Sequence, residues 1–173
     1  MNTPRQETIA MSNADELIAH NAEYAATFDQ AGMAVAPARR LAIVACMDSR
    51  LDLFAALGLA IGDAHVIRNA GGVITDDTIR SLVISQRLLG TQEIVLVHHT
   101  DCGMLTFRDD ELKDAIERDT GVRPNWSPEA FIDLDDDVRR SIARIKASPF
   151  VPHTGAVRGF VFEVETGRLR EVC

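Results

Sequence analysis

The sequence lacks the features of a membrane protein and of a nucleic-acid-binding protein. Its uninterrupted apolar runs are far shorter than the roughly 20 residues that a bilayer-spanning helix needs. Positive charge is in deficit, because 18 Lys and Arg residues stand against 26 Asp and Glu residues and give a net charge of −8, which repels phosphate backbones. The first residues show neither a secretory signal nor an Arg-rich transit peptide. We therefore expect a cytoplasmic protein with no membrane partner and no nucleic-acid partner.

Cysteine is also scarce, with three residues in a chain of 173. So few cysteines in a cytoplasmic protein indicate thiols, metal ligands or catalytic groups rather than a disulfide framework. No glycine follows Cys46 as far as Asp52, which excludes the glycine-rich turn of a dinucleotide-binding fold. A Cys-x-x-Cys pair for dithiol exchange is absent. The arginine that a cysteine phosphatase or sulfurtransferase needs six positions after its cysteine is absent too, because Asp52 stands there.

The composition is that of one ordinary globular domain. Hydrophobic residues make up 46% of the chain and charged residues 25%, and a chain of this length can bury a sufficient core without a metal or a disulfide. We expect a single domain over residues 1–173, in which residues 1–40 form an N-terminal arm and residues 41–173 form the core. Asn13 as N-cap, with Glu16 as its capping partner, predicts a helix from Ser12 to about Gln30 in the arm.

Strands and helices alternate along the core. Short apolar runs predict strands at Leu41–Ala45, His65–Arg68, Ile94–Val97, Val157–Val164 and Arg168–Val172. Helices are predicted between them at residues 51–57, 75–90, 109–118 and 138–146. This order predicts an α/β fold, in which helices flank a mostly parallel open sheet of about four strands and the terminal hairpin adds an antiparallel edge strand.

Two of the predicted strands end in residues that can bind a metal ion. The first runs into Cys46-Met47-Asp48-Ser49-Arg50 and the third into His98-His99-Thr100-Asp101-Cys102-Gly103. Ligands of open parallel sheets bind beyond the carboxyl ends of the strands, so Cys46, His99 and Cys102 meet if these strands are neighbours. Two thiolates and one imidazole suit Zn²⁺ and leave a fourth position for water or substrate. The alternative is a pair of small buried cysteines beside a polar strand end.

Only one of the two adjacent histidines can face that metal. Consecutive strand residues point to opposite faces of a sheet, so the side chains of His98 and His99 diverge. Two residues separate His99 from Cys102, a compact spacing common in zinc sites, whereas His98 would need a wider loop. We therefore predict His99 as the ligand and a position under a helix for His98, whose other conceivable role is that of a proton shuttle.

A carboxylate and a guanidinium follow the first ligand. Asp48 lies two positions after Cys46, and Arg50 two positions after Asp48, and an arginine fork can grip a carboxylate through two bonds. Held in this way, Asp48 stays off the metal and accepts a hydrogen bond from the water bound there, whereas a released Asp48 becomes the fourth ligand and closes the site. The alternative is a surface ion pair of little consequence. Asp101 is assigned at most a part in the loop geometry.

The remaining candidates favour ordinary structural roles. His20, His65 and His153 are expected at the surface or in caps, and Cys173 is expected to be an exposed thiol. The acidic residues Asp133, Asp135, Asp136 and Asp137 lack the spacing of a calcium loop and are expected to form a solvated helix start. Trp126 suits either a subunit contact or a local core.

Three segments together resemble the motifs of a known family. Cys46-Met47-Asp48-Ser49-Arg50, Arg68-Asn69-Ala70-Gly71-Gly72 and His99-Thr100-Asp101-Cys102-Gly103 are similar, in order and separation, to motifs of the β-class carbonic anhydrases, and most closely to those of the short members. The resemblance extends from about Leu41 to the C-terminal hairpin.

This resemblance implies a set of roles for the residues that match the motifs. The zinc ligands would be Cys46, His99 and Cys102, and Asp48 and Arg50 would form a gating pair. Gly71 and Gly72 would lie near the substrate, where the missing Cβ lets backbone approach closely. The family also implies a homodimer or a larger dimer-based assembly.

The implied function is the reversible hydration of carbon dioxide to bicarbonate and a proton by a metal-bound hydroxide. Two thiolates cancel the charge of Zn²⁺ more fully than three imidazoles do, so we expect the activity to rise toward alkaline pH. One alternative is a hydrolase of carbonyl sulfide or carbon disulfide on the same scaffold. A second is a non-catalytic zinc-binding or bicarbonate-binding protein in which Asp48 stays on the metal.

Overall fold

The computed structural model describes residues 12–173. This part of the chain falls into two compact units that are divided between Met33 and Ala34. The first unit contains helix α1, Asn13–Ala26, and none of the residues of this helix is buried. Its N-cap is Ser12, whose side chain accepts a hydrogen bond from the Asp15 backbone while the Asp15 carboxylate accepts one from the Ser12 backbone. The prediction of Asn13 and Glu16 as the capping pair is therefore wrong by one residue, because the extended backbone ends at Ser12.

The second unit contains a five-stranded sheet with the strand order β2-β1-β3-β4-β5. The strands are β1 Leu41–Cys46, β2 Ala64–Asn69, β3 Glu93–His99, β4 Val157–Phe162 and β5 Leu169–Val172. All neighbouring strands are parallel except the terminal pair of β4 and β5. The predicted α/β fold, with its mostly parallel sheet and antiparallel edge, is confirmed.

Four α-helices accompany the sheet. They are α2 Leu53–Leu57, α3 Asp76–Leu89, α4 Asp109–Thr120 and α5 Leu134–Ala147. As predicted, Thr75 caps the start of α3 through a bond from the Thr78 backbone, and Gly90 ends it in the left-handed conformation. Helix α5 begins before the predicted residue 138, because Asp133 is its N-cap and accepts a hydrogen bond from the Asp136 backbone. No helix in residues 12–173 has both the length and the apolar character that a membrane crossing requires.

The two faces of the sheet are covered by different elements. Ala42 and Val44 of β1 and Leu96 of β3 pack into one core cluster together with side chains of α3 and α5. Ile43 and Ala45 face the opposite way and pack with Val97, and Cys46 at the strand end joins the same cluster together with residues of the loops beyond the strands. Because side chains alternate along a strand, His98 shares the helix-covered face with Leu96, and His99 shares the loop-covered face with Val97. The carboxyl ends of β1 and β3 thus present their residues to the loops.

Glycine at one position lets α5 approach the sheet closely. A Cβ on Gly159 of β4 would overlap the Val138 Cγ1 atom and would lie 3.0 Å from the Ile142 Cδ1 atom. Both of these side chains belong to α5. The absent side chain therefore lets α5 pack directly on β4.

Candidate metal centre

Three donor side chains converge at the carboxyl ends of β1 and β3. Cys46 ends β1, His99 ends β3, and these strands are neighbours in the sheet. Cys102 returns to the same place after Asp101, whose positive φ of 56° turns the chain. The potential ligand atoms of Cys46, His99 and Cys102 all lie within 4.8 Å of one another, and all three residues are buried. These are the three side chains that the sequence predicts as metal ligands.

The hydrogen bonding of His99 leaves one ring nitrogen available to a cation. Its Nδ1 atom lies 2.8 Å from the Thr100 carbonyl oxygen, to which a protonated Nδ1 donates. The Nε2 atom is buried and has no hydrogen-bond partner among the described residues. A buried lone pair without a donor costs free energy, and a metal ion held jointly with two soft sulfur ligands would satisfy it. The donor set therefore fits Zn²⁺.

The electrostatics of the two thiols differ although they are neighbours. The hydrogen bond from the Cys102 thiol, helped by His99, lowers the pKa of Cys46 to about 4 against the opposing effect of burial. The hydrogen bond that the Cys102 thiol makes with Cys46 raises the pKa of Cys102, and burial raises it further. For His99, burial acts to lower the pKa, but the contact with Cys46, the bond to the Thr100 carbonyl and the charge of Asp48 together outweigh burial, and the pKa is raised. The pair of sulfur atoms therefore carries one negative charge more readily than two.

His98 lies on the other face of the sheet, under helix α5. Its side chain is fully buried, its Nε2 atom lies 2.9 Å from the Asp137 Oδ2 atom, and its ring stacks obliquely on Phe131 with a centroid distance of 5.8 Å. The expectation that Asp137 belongs to a solvated helix start is wrong, since Asp137 is only 9% exposed. Its carboxylate joins the buried histidine to Arg140, whose Nη2 atom donates to it at 3.1 Å.

Asp48 and Arg50 form the bidentate pair that the sequence predicts. Arg50 Nε donates to Asp48 Oδ1 at 3.0 Å, and Arg50 Nη2 donates to Asp48 Oδ2 at 2.8 Å. The guanidinium and the Arg50 backbone N–H hold the pKa of the Asp48 carboxyl well below its usual range. Asp48 Oδ2 also lies 3.7 Å from His99 Nε2. An ionised carboxylate is thus held beside the three donor side chains without joining them.

Two further residues organise this region in ways that the sequence reasoning missed. Asp101 receives a second pair of bonds from Arg50, from Nη1 to its carboxylate at 2.8 Å and from Nη2 to its carbonyl oxygen at 3.1 Å. Arg68 of β2 donates to the backbone carbonyls of Cys46 and Asp48. Arg68 opens the motif that contains Gly71 and Gly72, but nothing in the sequence pattern indicates that its side chain turns back across the end of β1.

A cavity of about 350 Å³ opens beside the donor side chains. Its walls combine Cys46, Asp48, His99 and Cys102 with apolar side chains, which are those of Met47, Ala70, Met104 and Phe107. Gly71 lines the cavity, and a Cβ there would lie 3.0 Å from the Met104 Cγ atom. Gly72 instead packs against the strand end, because a Cβ on it would lie 2.8 Å from the Cys46 backbone nitrogen. The cavity therefore has room for a small apolar molecule beside the donor side chains.

The other candidates lie away from this cavity. His65 is half-buried and its Nδ1 atom lies 2.8 Å from the Ser85 hydroxyl, so the expectation of a surface or capping role is wrong and the residue joins β2 to α3. His20, His153 and Cys173 are exposed, as expected. Trp126 is exposed as well, which excludes a local core in this chain.

Comparisons with known proteins agree with this architecture. A family model described as "Carbonic anhydrase" matches residues 41–127. The chain is 57% identical, over 94% of its length and 99% of the relative, to "Beta-carbonic anhydrase 1" of Mycobacterium tuberculosis. It is 38% identical to "Carbon disulfide hydrolase" of Acidithiobacillus thiooxidans over 76% of each chain. The crystal structure of carbonic anhydrase from Streptococcus mutans superposes with a TM-score of 0.89 at 47% identity and covers 95% of this chain and 100% of that one.

Proposed function

Since this chain belongs to the β-carbonic anhydrase family, we propose that it catalyses the reversible hydration of carbon dioxide to bicarbonate and a proton. The observation that supports this proposal most directly is the convergence of two buried thiols and an unpartnered imidazole nitrogen at a largely apolar cavity. Such a site suits a small uncharged substrate beside a reactive centre.

We propose that Cys46, His99 and Cys102 hold Zn²⁺. When bound, zinc lowers the pKa of water so that hydroxide is available near neutral pH. The bond between His99 Nδ1 and the Thr100 carbonyl fixes the ring orientation and the tautomer that leaves Nε2 for the metal. The low pKa of Cys46 supplies a thiolate before the metal arrives. Three protein donors leave a tetrahedral ion one open position, as a catalytic site requires.

We propose that Asp48 acts as a hydrogen-bond acceptor for water in the cavity and that Arg50 positions the Asp48 carboxylate. Arg50 engages both carboxylate oxygens of Asp48, which keeps Asp48 ionised and oriented. The ionised Asp48 carboxylate lies 3.7 Å from His99 Nε2 and can accept a hydrogen bond from a water molecule in the cavity. That bond would orient the water so that the lone pair of the water oxygen points at the substrate. Because Arg50 bonds both oxygens of Asp48, the arrangement fits this catalytic role.

The cavity walls would select the substrate. Carbon dioxide is uncharged and apolar, and the Met47, Met104 and Phe107 side chains offer it contacts without hydrogen-bonding groups that would retain water. We propose that Gly71 and Gly72 both shape the space for the substrate, each in its own way. Gly71 lines the cavity, whereas Gly72 lets the backbone behind it come close to the end of β1.

Stopped-flow hydration of carbon dioxide by zinc-loaded protein tests the proposal. We expect a rate well above buffer that rises from mildly acidic to alkaline pH. Cys46→Ser and Cys102→Ser should lose both zinc and activity, whereas Cys173→Ser, which removes an exposed thiol, should keep both. Unchanged zinc content in Cys46→Ser would refute the ligand set, and a wild-type rate equal to buffer at every pH would refute the reaction.

Hydrolysis of carbon disulfide is a second candidate, favoured by the 38% identity to a relative that bears that name. The substrate is also linear and apolar, and the balanced reaction consumes two waters for each carbon disulfide and releases carbon dioxide and two hydrogen sulfide molecules. Carbonyl sulfide would consume one water and release one hydrogen sulfide. Sulfide release measured with both compounds on the same protein separates the candidates, because sulfide production without carbon dioxide hydration would assign the sulfur substrate.

We also propose that the chain forms a homodimer through the free edge of β2. Within residues 12–173 this strand ends the sheet and pairs only with β1, and an unpaired edge is a template for another strand. Apolar side chains of Ile61, Ile84 and Leu88 are exposed, and Ile84 lines a groove beside β2. Light scattering should give twice the 19.0 kDa mass of one chain, and Ile84→Glu should lower it. A wild-type mass of one chain at micromolar concentration would contradict the proposal.

A further inference from the structure

One guanidinium reaches the end of β1 from the neighbouring strand. Arg68 lies in β2, paired in register with Ala45. Its Nε atom donates to the Cys46 carbonyl oxygen at 2.9 Å, and its Nη2 atom donates to the Asp48 carbonyl oxygen at 2.6 Å. Both acceptors are backbone carbonyls of residues whose side chains belong to the proposed centre. The exposed arginine of one strand therefore contacts the backbone of two functional residues of another.

The regular bonding of the sheet stops just before Asp48. The Met47 backbone donates to the Asn69 carbonyl at 2.8 Å, which extends the ladder between β1 and β2 by one residue. After Met47 the chain turns, with a bond from the Leu51 backbone to the Asp48 carbonyl at 3.1 Å. The Arg68 bond to that same carbonyl thus ties the turn to β2 after the ladder has ended.

We infer that Arg68 is a positioning residue, which holds the Cys46 sulfur and the Asp48 carboxylate at their working separation through the backbone between them. This inference rests on the proposed function. A cationic donor binds a carbonyl more strongly than a neutral donor does, and the planar fork fixes two acceptors at once, which a lysine ammonium on a flexible stem does not. Arg68 does not line the cavity, so its effect on the reaction passes through the segment that it holds.

Substitution of Arg68 can be compared with a closely matched control. Arg87 is also exposed, and it also donates through Nε and Nη2 to backbone, at 3.0 and 2.9 Å from the Phe150 carbonyl oxygen. Phe150 lies outside the proposed centre, so Arg87→Met removes the same type of contact without touching the Cys46–Asp48 segment. Arg68→Met, Arg68→Lys and Arg87→Met should be measured beside wild type for zinc content, melting temperature, kcat and KM, and for the absorption spectrum of the Co²⁺-loaded protein.

We expect Arg68→Met to keep its zinc, because all three ligands remain, and to lose kcat on the order of tenfold or more with little change in KM, since small displacements of reacting groups are costly. The Co²⁺ bands, which report ligand geometry, should shift. Arg68→Lys should recover part of the rate, and Arg87→Met should match wild type in rate and spectrum even if its melting temperature falls.

Equal rates and spectra in Arg68→Met and Arg87→Met would overturn the inference. A fall in melting temperature common to both variants, without a spectral change specific to Arg68, would reduce Arg68 to a structural role and overturn it as well. The Co²⁺ spectrum needs no turnover, so a wild-type protein that does not hydrate carbon dioxide would refute the proposed function while the spectral comparison still decides the role of Arg68.

Discussion

At the scale of single residues, Gly72 is a position in the site where the backbone leaves no room for a side chain. Its φ is +71°, and a Cβ would lie 2.8 Å from the Cys46 nitrogen and 3.0 Å from the Ala45 carbonyl carbon. Neither of these is a flexible side-chain atom. Gly72→Ala should therefore carry the roughly 1–2 kcal/mol cost of a left-handed alanine and a further overpacking cost of about 1–3 kcal/mol.

The control for this prediction is Gly121→Ala. Gly121 has a φ of +75° and no atom within 4 Å of an added Cβ, so only the conformational cost applies. Urea unfolding should separate the two variants, and Gly72→Ala should also bind zinc more weakly because Cys46 is displaced. Equal midpoints for the two variants would mean that the strand end yields to the added methyl group.

Residue types and spacing predicted the metal centre better than its supports. The alternation of strand side chains was enough to direct His99 to one face of β3 and His98 to the other, and this is the placement in the structure. The roles of these side chains in binding and catalysis stay predictions. The contact of Asp137 with His98 and that of Arg68 with Cys46 span 39 and 22 residues of sequence. Long side chains that meet across such separations leave no periodic pattern, so the sequence cannot indicate them.

At the scale of elements, the packing of α5 on β4 depends on Gly159. An added Cβ would overlap the Val138 Cγ1 atom, and a valine in a helix has little rotamer freedom with which to move away. Gly159→Ala should therefore lower the free energy of unfolding by about 1–3 kcal/mol. It should also disturb the bond between His98 and Asp137, since Asp137 lies in α5.

A matched substitution is available close to the same strand. Gly155→Ala introduces a methyl group with no atom within 4 Å, so urea unfolding should give a midpoint near that of wild type. If both alanine variants unfold at the same urea concentration, α5 is free to shift on the sheet and the tight packing does not limit stability.

Element boundaries followed caps more closely than they followed hydrophobic periodicity. The start of α3 at Thr75 and its end at Gly90 were predicted from capping residues. The apolar pattern predicts that α5 starts at Val138, yet Asp133 caps the helix and Asp135 and Asp136 occupy its first turn. Negative charge near the positive end of a helix dipole is stabilising, which agrees with the expected helix start at these acidic residues and places the boundary of α5 ahead of its apolar stripe.

At the scale of the whole molecule, strand order is what assembles the site. The alternation of strands and helices predicts a mostly parallel sheet, but it does not predict the order β2-β1-β3 that makes β1 and β3 neighbours. The predicted metal site depends on that order. No local pattern determines it, because the order depends on the crossover that α3 makes over the sheet. The single-domain organisation stays a prediction.

Metal binding should be linked to protons in a direction that the thiol pKa values set. Cys46, with its pKa of about 4, is ionised at neutral pH and releases no proton to the solvent, whereas Cys102, with its raised pKa, must release one. The pKa of His99 is also raised, so any imidazole that is protonated before zinc binds adds to this release. We therefore expect about one proton or more released for each zinc at neutral pH, and an affinity that falls as the pH falls.

Calorimetry in two buffers with different ionisation enthalpies measures this number. Cys173→Ser should release the same number of protons as wild type, because Cys173 is exposed and does not belong to the cluster of Cys46, His99 and Cys102. A release close to zero would mean that Cys102 is already ionised or does not bind.

The double engagement of Arg50 has a consequence for how the site could change state. Its guanidinium bonds Asp48 on one side and Asp101 on the other. Rotation of the Asp48 carboxylate toward the ligand set would therefore leave Arg50 paired with Asp101. The bonds from Arg50 to Asp101 would balance the charge of the guanidinium and keep it in position. A departure and return of Asp48 would therefore need the movement of one short side chain only, without a rearrangement of the loops that carry the three proposed ligands.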